Sequence, residues 1–404
     1  MHNERSSPPL IYLFLTLPSG ISSGFLSVTL AYELTKLGWS VAVIGSLVAL
    51  GLSSHLWRFV WSPVIDLTLS TRAWYILGLV PSAIAIVAFG FVPLREGWFF
   101  TGLAFFSQVA ATIAILPVSG MIAHTVKEKS QGRASGWYQA GNLGGAGIGG
   151  GLGVWLATHS TFTLACTVLS LIMLTCALAL YWVPNVRPIP GDRIGPRIRA
   201  MGHDFKALIQ SRQTLFVIAL MTFPIGIGGA SFLWSAVAPE WQASPDTVAL
   251  VTGTLAGVLS AIGCVISGWL CDRVGRYWVL FGGGVLLALT AAVIAAVPHT
   301  PNAYRIGVLT YALLMGAPYA AFTAIILSAI GKGAASGKYA IIASIGNIPV
   351  VYMTALDGWA HDYWNASGML YFEAIIAIPA IALGLLGLYL VRRPISNNPA
   401  HAAI

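Results

Sequence analysis

The residues best suited to chemistry lie in a short segment between two long apolar runs, with the sequence GWLCDRVGR. Gly268 opens the segment, Asp272 and Arg273 follow, and Gly275 separates Arg273 from Arg276. Opposite charges in a glycine-containing turn suit an ion pair that forms and breaks as the two flanking helices move. We therefore predict a gating latch at this turn.

A basic residue inside an apolar run is the next candidate. A charge inside a bilayer costs about 3 kcal/mol or more, so such a residue usually marks a pathway or an ion pair. Arg58 lies three residues after His55 on one helix face, and Asp66 lies two turns further on. Arg58 binds an anionic group, pairs with Asp66 in a gate, or extends towards the interface. His55 is a proton relay or a polar helix contact.

Few carboxyl groups are available for proton transfer. Glu373, just inside the last apolar run, is the strongest candidate, with headgroup contact as the alternative. Trp234 could stack on a ligand, although packing is the more common role. Four amide side chains at mid-helix are candidate ligands of a solute: Gln108, Gln139, Asn142 and Asn347. The sequence has no zinc spacing, nucleotide-binding loop or convincing Ser/His/Asp set, so we expect neither an enzyme nor a cofactor or metal.

Long apolar runs must position these residues. The chain has 404 residues, 57% hydrophobic and 8% charged, whereas about a quarter of the residues are charged in soluble proteins. A membrane span needs about 20 apolar residues. The runs predict twelve transmembrane helices, near 10–32, 41–65, 73–93, 98–123, 134–157, 161–183, 214–238, 247–271, 277–297, 304–328, 338–357 and 369–391. The chain is thus predicted to be an all-α membrane protein.

The basic residues predict the orientation of the chain. If both termini lie on one side, most Lys and Arg residues fall in loops on that side, and Lys36, Arg95 and Arg305 fall opposite. Positively charged loops face the cytoplasm, so we predict a bacterial inner-membrane protein with both termini cytoplasmic. The formal net charge of +8 is then a signal of topology, and we expect no nucleic-acid partner.

An internal repeat predicts two halves. GRASGWY at 132–138 recurs as GAASGKY at 333–339, and the same offset carries Pro117 onto Pro318. Such duplication is typical of transporters built from two related halves. We predict six helices in residues 1–184, a cytoplasmic linker at 185–213, and six helices in residues 214–404, which end in a cytoplasmic tail.

The segment from Gly268 to Arg276 resembles the signature loop of the major facilitator superfamily, G-x-L-x-D-R-x-G-R, and matches it at every defined position. That superfamily consists mainly of secondary transporters. The resemblance implies the major facilitator fold, with twelve transmembrane helices in two six-helix halves that give alternating access to a central site.

The first half carries a narrower resemblance. WRFVWSPVID at 57–66, together with SGISSGFLSVTL from Ser19, is similar to the anhydromuropeptide permeases and acetyl-coenzyme A transporters. Their second helix ends in a basic residue followed by F-[LV]-W-[SA]-P-x-x-D, which Arg58 to Asp66 match here. The similarity is good over residues 1–75. The fourth helix lacks the carboxylate that permeases of this type often have, which bears on both the substrate and the proton route.

A glycine-rich run in the fifth helix points elsewhere. GNLGGAGIGG at 141–150 resembles the G-x-x-x-G-P-x-x-G-G motif of proton-coupled efflux proteins, with Ala146 in place of the proline. A glycine-lined face also lets two helices approach closely, and this structural role is enough to explain the run.

These patterns predict a secondary active transporter that moves a small organic solute, anionic or amphipathic, by alternating access. We expect coupling to protons and favour uptake. A proton-coupled efflux antiporter is the alternative, followed by a non-transporting receptor or channel on the same fold. The expected partners are the solute, protons and the lipid bilayer, and we expect a monomer.

Overall fold

The computed structural model describes residues 8–94, 97–125, 128–185, 212–330 and 341–392, with the single residues 195, 199 and 202. Across these residues the chain is helical and contains no strand. Nine helices within the described ranges are long and apolar enough to cross a membrane, by length and composition. The predicted all-α, multi-pass membrane protein is confirmed.

The helices of the first half follow the predicted spans closely. They are α1 (Ile11–Lys36), α2 (41–67), α3 (Thr71–Phe89), α4 (Trp98–Thr125), α5 (128–159) and α6 (Phe162–Trp182). The hydroxyl groups of Ser40, Ser70 and Thr161 cap α2, α3 and α6 by accepting a backbone N–H of the first turn. The polar residues 128–133 extend α5 beyond its apolar run, so this helix begins before the predicted residue 134.

The second half ends in two helices that are joined by a single residue. Its helices are α7 (212–237), α8 (245–274), α9 (Arg276–Ala296), α10 (Pro301–Ile330), α11 (341–364) and α12 (366–392). Only Asn365, at φ 56° and ψ −170°, separates α11 from α12. α11 therefore runs past its predicted end at residue 357. A 3-10 turn, Ala238–Trp241, follows α7 beyond the span.

Some predictions lie outside the described residues. Most of the linker 185–213, the tail after residue 392 and the repeat segment 333–339 are among them. The side chains of Asp66 and Asp272 are also outside the described set. The boundaries of the two halves and of the linker therefore stay predictions.

Helix α7 is broken between Met221 and Gly229. Pro224 has no N–H to donate, and Gly226 has φ 66°, a left-handed conformation that glycine adopts without a Cβ clash. The chain resumes as a 3-10 turn, Gly229–Phe232. Backbone N–H groups at this break lie inside the bundle, where another polar group must accept them.

The two halves touch backbone to backbone at the end of the bundle opposite the start of α1 and the end of α12. A Cβ atom on Gly45 of α2 would lie 2.8 Å from the carbonyl oxygen of Thr354 and 3.2 Å from Cα of Gly358 in α11. Gly253 of α8 lies equally tightly against Gly151 of α5. Small residues allow membrane helices to pack this closely, so this end of the structure is closed.

Candidate functional site

The break in α7 faces two buried carboxyl groups. Glu373 of α12 is 6% exposed, and Asp357 of α11 is 0% exposed. One oxygen of Glu373 accepts the backbone N–H of Ala230, with an N···O distance of 3.2 Å. The other accepts the hydroxyl of Tyr311 from α10. Four helices thus meet at one carboxyl group, and α7 contributes backbone rather than a side chain.

Two glycines make this approach to the backbone feasible. A Cβ atom on Gly228 would collide with the hydroxyl of Tyr311 and with the carboxyl group of Glu373. A Cβ atom on Gly229 would lie 2.5 Å from Oδ2 of Asp357. Any side chain at these positions would therefore displace the carboxyl groups from the break.

The two carboxyl groups differ in their hydrogen bonds. Both oxygens of Asp357 are buried, and neither forms a hydrogen bond of good geometry with another described residue. The carboxyl group of Glu373 and the N–H groups of Gly229 and Ala230 lie near it. Glu373 has two donors in place, so it is the better position for a negative charge.

No described Lys, Arg or His forms an ion pair with either group. Two ionised carboxylates this close in a buried site would repel each other strongly and lose hydration. A proton shared by the two groups would remove this repulsion. This arrangement can take up and release protons.

Tyr311 belongs to a cluster of three aromatic side chains. The ring of Trp234 packs edge to face on Tyr311 and Tyr304, with centroid distances of 5.7 and 6.3 Å. The Tyr304 hydroxyl bonds the carbonyl oxygen of Trp234 at 2.9 Å and the hydroxyl of Thr252 at 2.7 Å. Trp234 is 3% exposed, and its stacking on a ligand stays a prediction. Its Nε1 has no hydrogen-bond partner among the described residues.

The predicted amide ligands lie elsewhere. Nε2 of Gln108, on α4, donates to the carbonyl oxygen and to the hydroxyl of Ser22 on α1, at 3.0 and 2.9 Å. Nδ2 of Asn347 donates to the carbonyl oxygen of Ala343 one turn earlier, at 2.8 Å. Gln139 is exposed and Asn142 half-buried, both on α5. Their role as solute ligands stays a prediction.

The predicted basic site lies on α2. A 3-10 turn, Ser53–Trp57, interrupts this helix and contains His55. Arg58 is half-buried and is the nearest charged neighbour of His55. Nδ1 of His55 is buried without a hydrogen-bond partner among the described residues. The proposed pairing of Arg58 with Asp66 lies outside what the structure describes.

The predicted latch falls at the junction of α8 and α9. Gly275 has φ 102°, so it makes the sharp turn between the two helices. The guanidinium of Arg273 lies 4.1 Å from the ring centre of Trp269. Gly268 faces open space, and Arg276 is the first residue of α9. The latch role itself stays a prediction.

A polar network at the closed end was not predicted. Glu240, after α7, accepts His361 of α11 through one oxygen and the N–H of Ala366 through the other, at 3.1 Å. Asp362 accepts the N–H of Ala42 in the first half at 3.0 Å. Partial burial raises the pKa of Glu240, but the bonds from His361 and Ala366 outweigh it, and its pKa lies below the ordinary value.

Sequence reasoning also missed Asp357 and Tyr311 as partners of Glu373. A carboxylate inside an apolar run was the available signal for Asp357, but the polar residues that follow it suggested a helix end. The contact of Tyr311 is tertiary and leaves no local pattern.

Helices of membrane length, paired in two halves that meet along glycine contacts, define a polytopic α-helical membrane protein. The sequence matches the family model described as Major Facilitator Superfamily over residues 12–351. The chain therefore belongs to this superfamily. No curated protein gives a significant match to the sequence. The narrower resemblance to anhydromuropeptide permeases and acetyl-coenzyme A transporters stays a prediction.

Several solved structures share the fold. A POT family transporter in complex with a thioalcohol-conjugated peptide has a TM-score of 0.75 at 11% identity, covering 95% of this chain and 96% of that one. A D-xylose-proton symporter has a TM-score of 0.69 at 14% identity, covering 91% and 96%. The nucleoside transporter NupG, as a mutant, has a TM-score of 0.73 at 13% identity, covering 94% and 98%. The major facilitator fold is confirmed.

Proposed function

We propose that the protein is a proton-coupled secondary transporter of a small organic solute, and that Asp357 and Glu373 carry the coupled proton. The observation that carries this proposal is the buried carboxyl pair at the α7 break, with no described cation beside it. Membership of the superfamily supports secondary transport. One protein of the same fold is a proton symporter by name.

The carboxyl pair can link proton binding to helix movement. With one proton present, Asp357 holds it, because the donors Tyr311 and Ala230 stabilise the charge on Glu373. A second proton neutralises Glu373 and weakens its bond to the N–H of Ala230. The restarted part of α7 is then held less firmly to α12.

The same part of α7 also contacts the other half of the molecule. The hydroxyl of Ser235 donates to the carbonyl oxygen of Ser27 in α1, at 2.9 Å. A change in the bond between Glu373 and Ala230 therefore reaches the boundary between the halves within five residues. In alternating access, this boundary opens and closes.

Uptake is the direction we favour. The contacts between the halves close the end of the bundle opposite the start of α1, which is the outer end in the predicted topology. The glycine run of α5 packs on α1, where a Cβ atom on Gly145 or Gly149 would collide with the backbone of Leu17 or Ile21. Packing therefore accounts for the resemblance to the efflux motif. We place the protein in a bacterial inner membrane, as a monomer.

The test begins with a screen for solutes that alkalinise a weakly buffered suspension of cells containing the protein. With a solute in hand, Glu373→Gln should abolish accumulation driven by a pH gradient, while exchange of solute at equal concentrations continues. The matched control is Glu33→Gln. Glu33 is also a buried carboxylate, but it pairs with Lys36 at the C-terminal end of α1. Protonophore-sensitive accumulation by Glu373→Gln would contradict the coupling role.

A further inference from the structure

A cavity of about 380 Å³ lies where α8 ends and α9 begins, and α10 and α12 complete its walls. Arg276 at the start of α9 and Arg392 at the end of α12 both line it, together with Tyr277 and Trp278. The cavity lies at the end of the bundle where α1 begins and α12 ends. The carboxyl pair lies towards the opposite ends of α11 and α12, so the two sites are separate.

The arginines give the cavity a positive charge that no described carboxylate offsets. Arg276 makes no ion pair or hydrogen bond with any residue in the described ranges. The guanidinium of Arg392 lies 5.7 Å from the ring centre of Tyr277, which holds it over the cavity. The adjoining turn adds Arg273 and one acid, Asp272, so the local formal charge stays positive.

The walls also present backbone donors. Gly275, the N-cap of α9, has no side chain to accept the first N–H groups of this long helix. The positive end of the helix therefore faces the same space as the two arginines. A planar guanidinium binds the oxygens of a phosphate or a carboxylate in pairs, and two guanidinium groups suit the larger number of oxygens on a phosphate.

Apolar side chains beside the cavity indicate where the phosphate comes from. Trp269, Trp278 and Val274 are 55%, 59% and 54% exposed around it. Tryptophan at the end of a membrane helix lies at the level of the lipid headgroups. We propose that this cavity binds the phosphate of an anionic phospholipid, with the acyl chains along α8 and α9.

Native mass spectrometry of the purified full-length protein with phosphatidylglycerol tests the proposal. A basic residue near the headgroups contributes about 1 kcal/mol to binding an anionic lipid, which is about fivefold in affinity. Arg276→Gln and Arg392→Gln should each weaken the tightest-bound phosphatidylglycerol by about that factor. Arg305→Gln, at the opposite end, where its guanidinium bonds Thr247, should leave this lipid in place.

Two further arms separate the sources of phosphate. Dioleoylglycerol, which lacks the phosphate, should not compete for the site, and inorganic phosphate at millimolar concentration should not displace the lipid. Displacement by inorganic phosphate would overturn the lipid assignment. Equal retention of phosphatidylglycerol by both arginine variants and the wild type would overturn the site. If one variant fails to insert, the other carries the test, since the two arginines lie on different helices.

Discussion

Removing the Tyr311 hydroxyl tests the carboxyl site without changing its charge. In Tyr311→Phe, Glu373 loses one of its two donors, and the ring still packs against Trp234. A hydrogen bond to a charged group contributes about 1.5–3 kcal/mol. The loss weakens the charged form of the pair and leaves the protonated form almost unchanged.

This energy converts directly into a shift along the pH axis. One pH unit corresponds to about 1.4 kcal/mol, so the half-maximum of proton-coupled transport should move upward by about one to two units. The assay is solute-dependent proton movement in proteoliposomes, measured from pH 5 to pH 9. The half-maximum moves upward because a carboxylate that has lost a stabilising hydrogen bond binds its proton more tightly.

The control is Tyr304→Phe. Tyr304 is as deeply buried as Tyr311, at 1% exposed, and also packs edge to face on Trp234. Its hydroxyl contacts Thr252 and a carbonyl oxygen rather than a carboxyl group. Its pH profile should stay in place. A Tyr311→Phe profile that superposes on that of Tyr304→Phe would refute the coupling role of the Tyr311 bond.

Three other predictions concern the gates. Gly253→Val should keep the two halves apart at the closed end, which a longer distance between spin labels on the two halves would show. Gly282 faces open space, so the control Gly282→Val should leave that distance unchanged. The same distance in both variants would contradict the contact. The pKa of Glu240 lies below its ordinary value of about 4.3. Its ionised carboxylate therefore stabilises the closed end above about pH 4.3, and this stabilisation is lost as pH falls through the lowered pKa of Glu240. Glu240→Gln should therefore raise hydrogen exchange in the adjoining turns already at pH 7, and unchanged exchange would refute this. If Arg58 and Asp66 form a gate, adding Asp66→Asn to Arg58→Gln should restore activity. If the double variant binds the solute as weakly as Arg58→Gln alone, Arg58 binds the solute instead.

The fold could be predicted well from the sequence, because membrane spans are written in long apolar runs and the α8–α9 turn carries a nine-residue motif. The candidate site could be predicted only in part from the sequence. Glu373 stood out as a carboxylate within an apolar run, but Asp357 was assigned to a helix boundary. The run loses hydropathy at His361 and Asp362, yet α11 continues to residue 364, because these side chains find partners at the closed end.

The α7 break shows a second limit of prediction. Pro224 and Gly226 predict a bend, but no local rule says which group accepts the freed N–H of Ala230. That partner is Glu373, far along the chain. Gln108 shows a related limit, since a mid-helix amide suits a solute as well as it suits Ser22, to which it donates here.

The single-residue turn at Asn365 joins α11 and α12 in one hairpin. Asp357 and Glu373 lie the same number of residues before and after it, so both acids stand at one depth. Asn365 holds a backbone conformation that costs a residue other than glycine about 1–3 kcal/mol, and the bond from Ala366 to Glu240 offsets part of that strain. A linker that lengthens this turn would therefore uncouple the two acids from each other while leaving every membrane span intact.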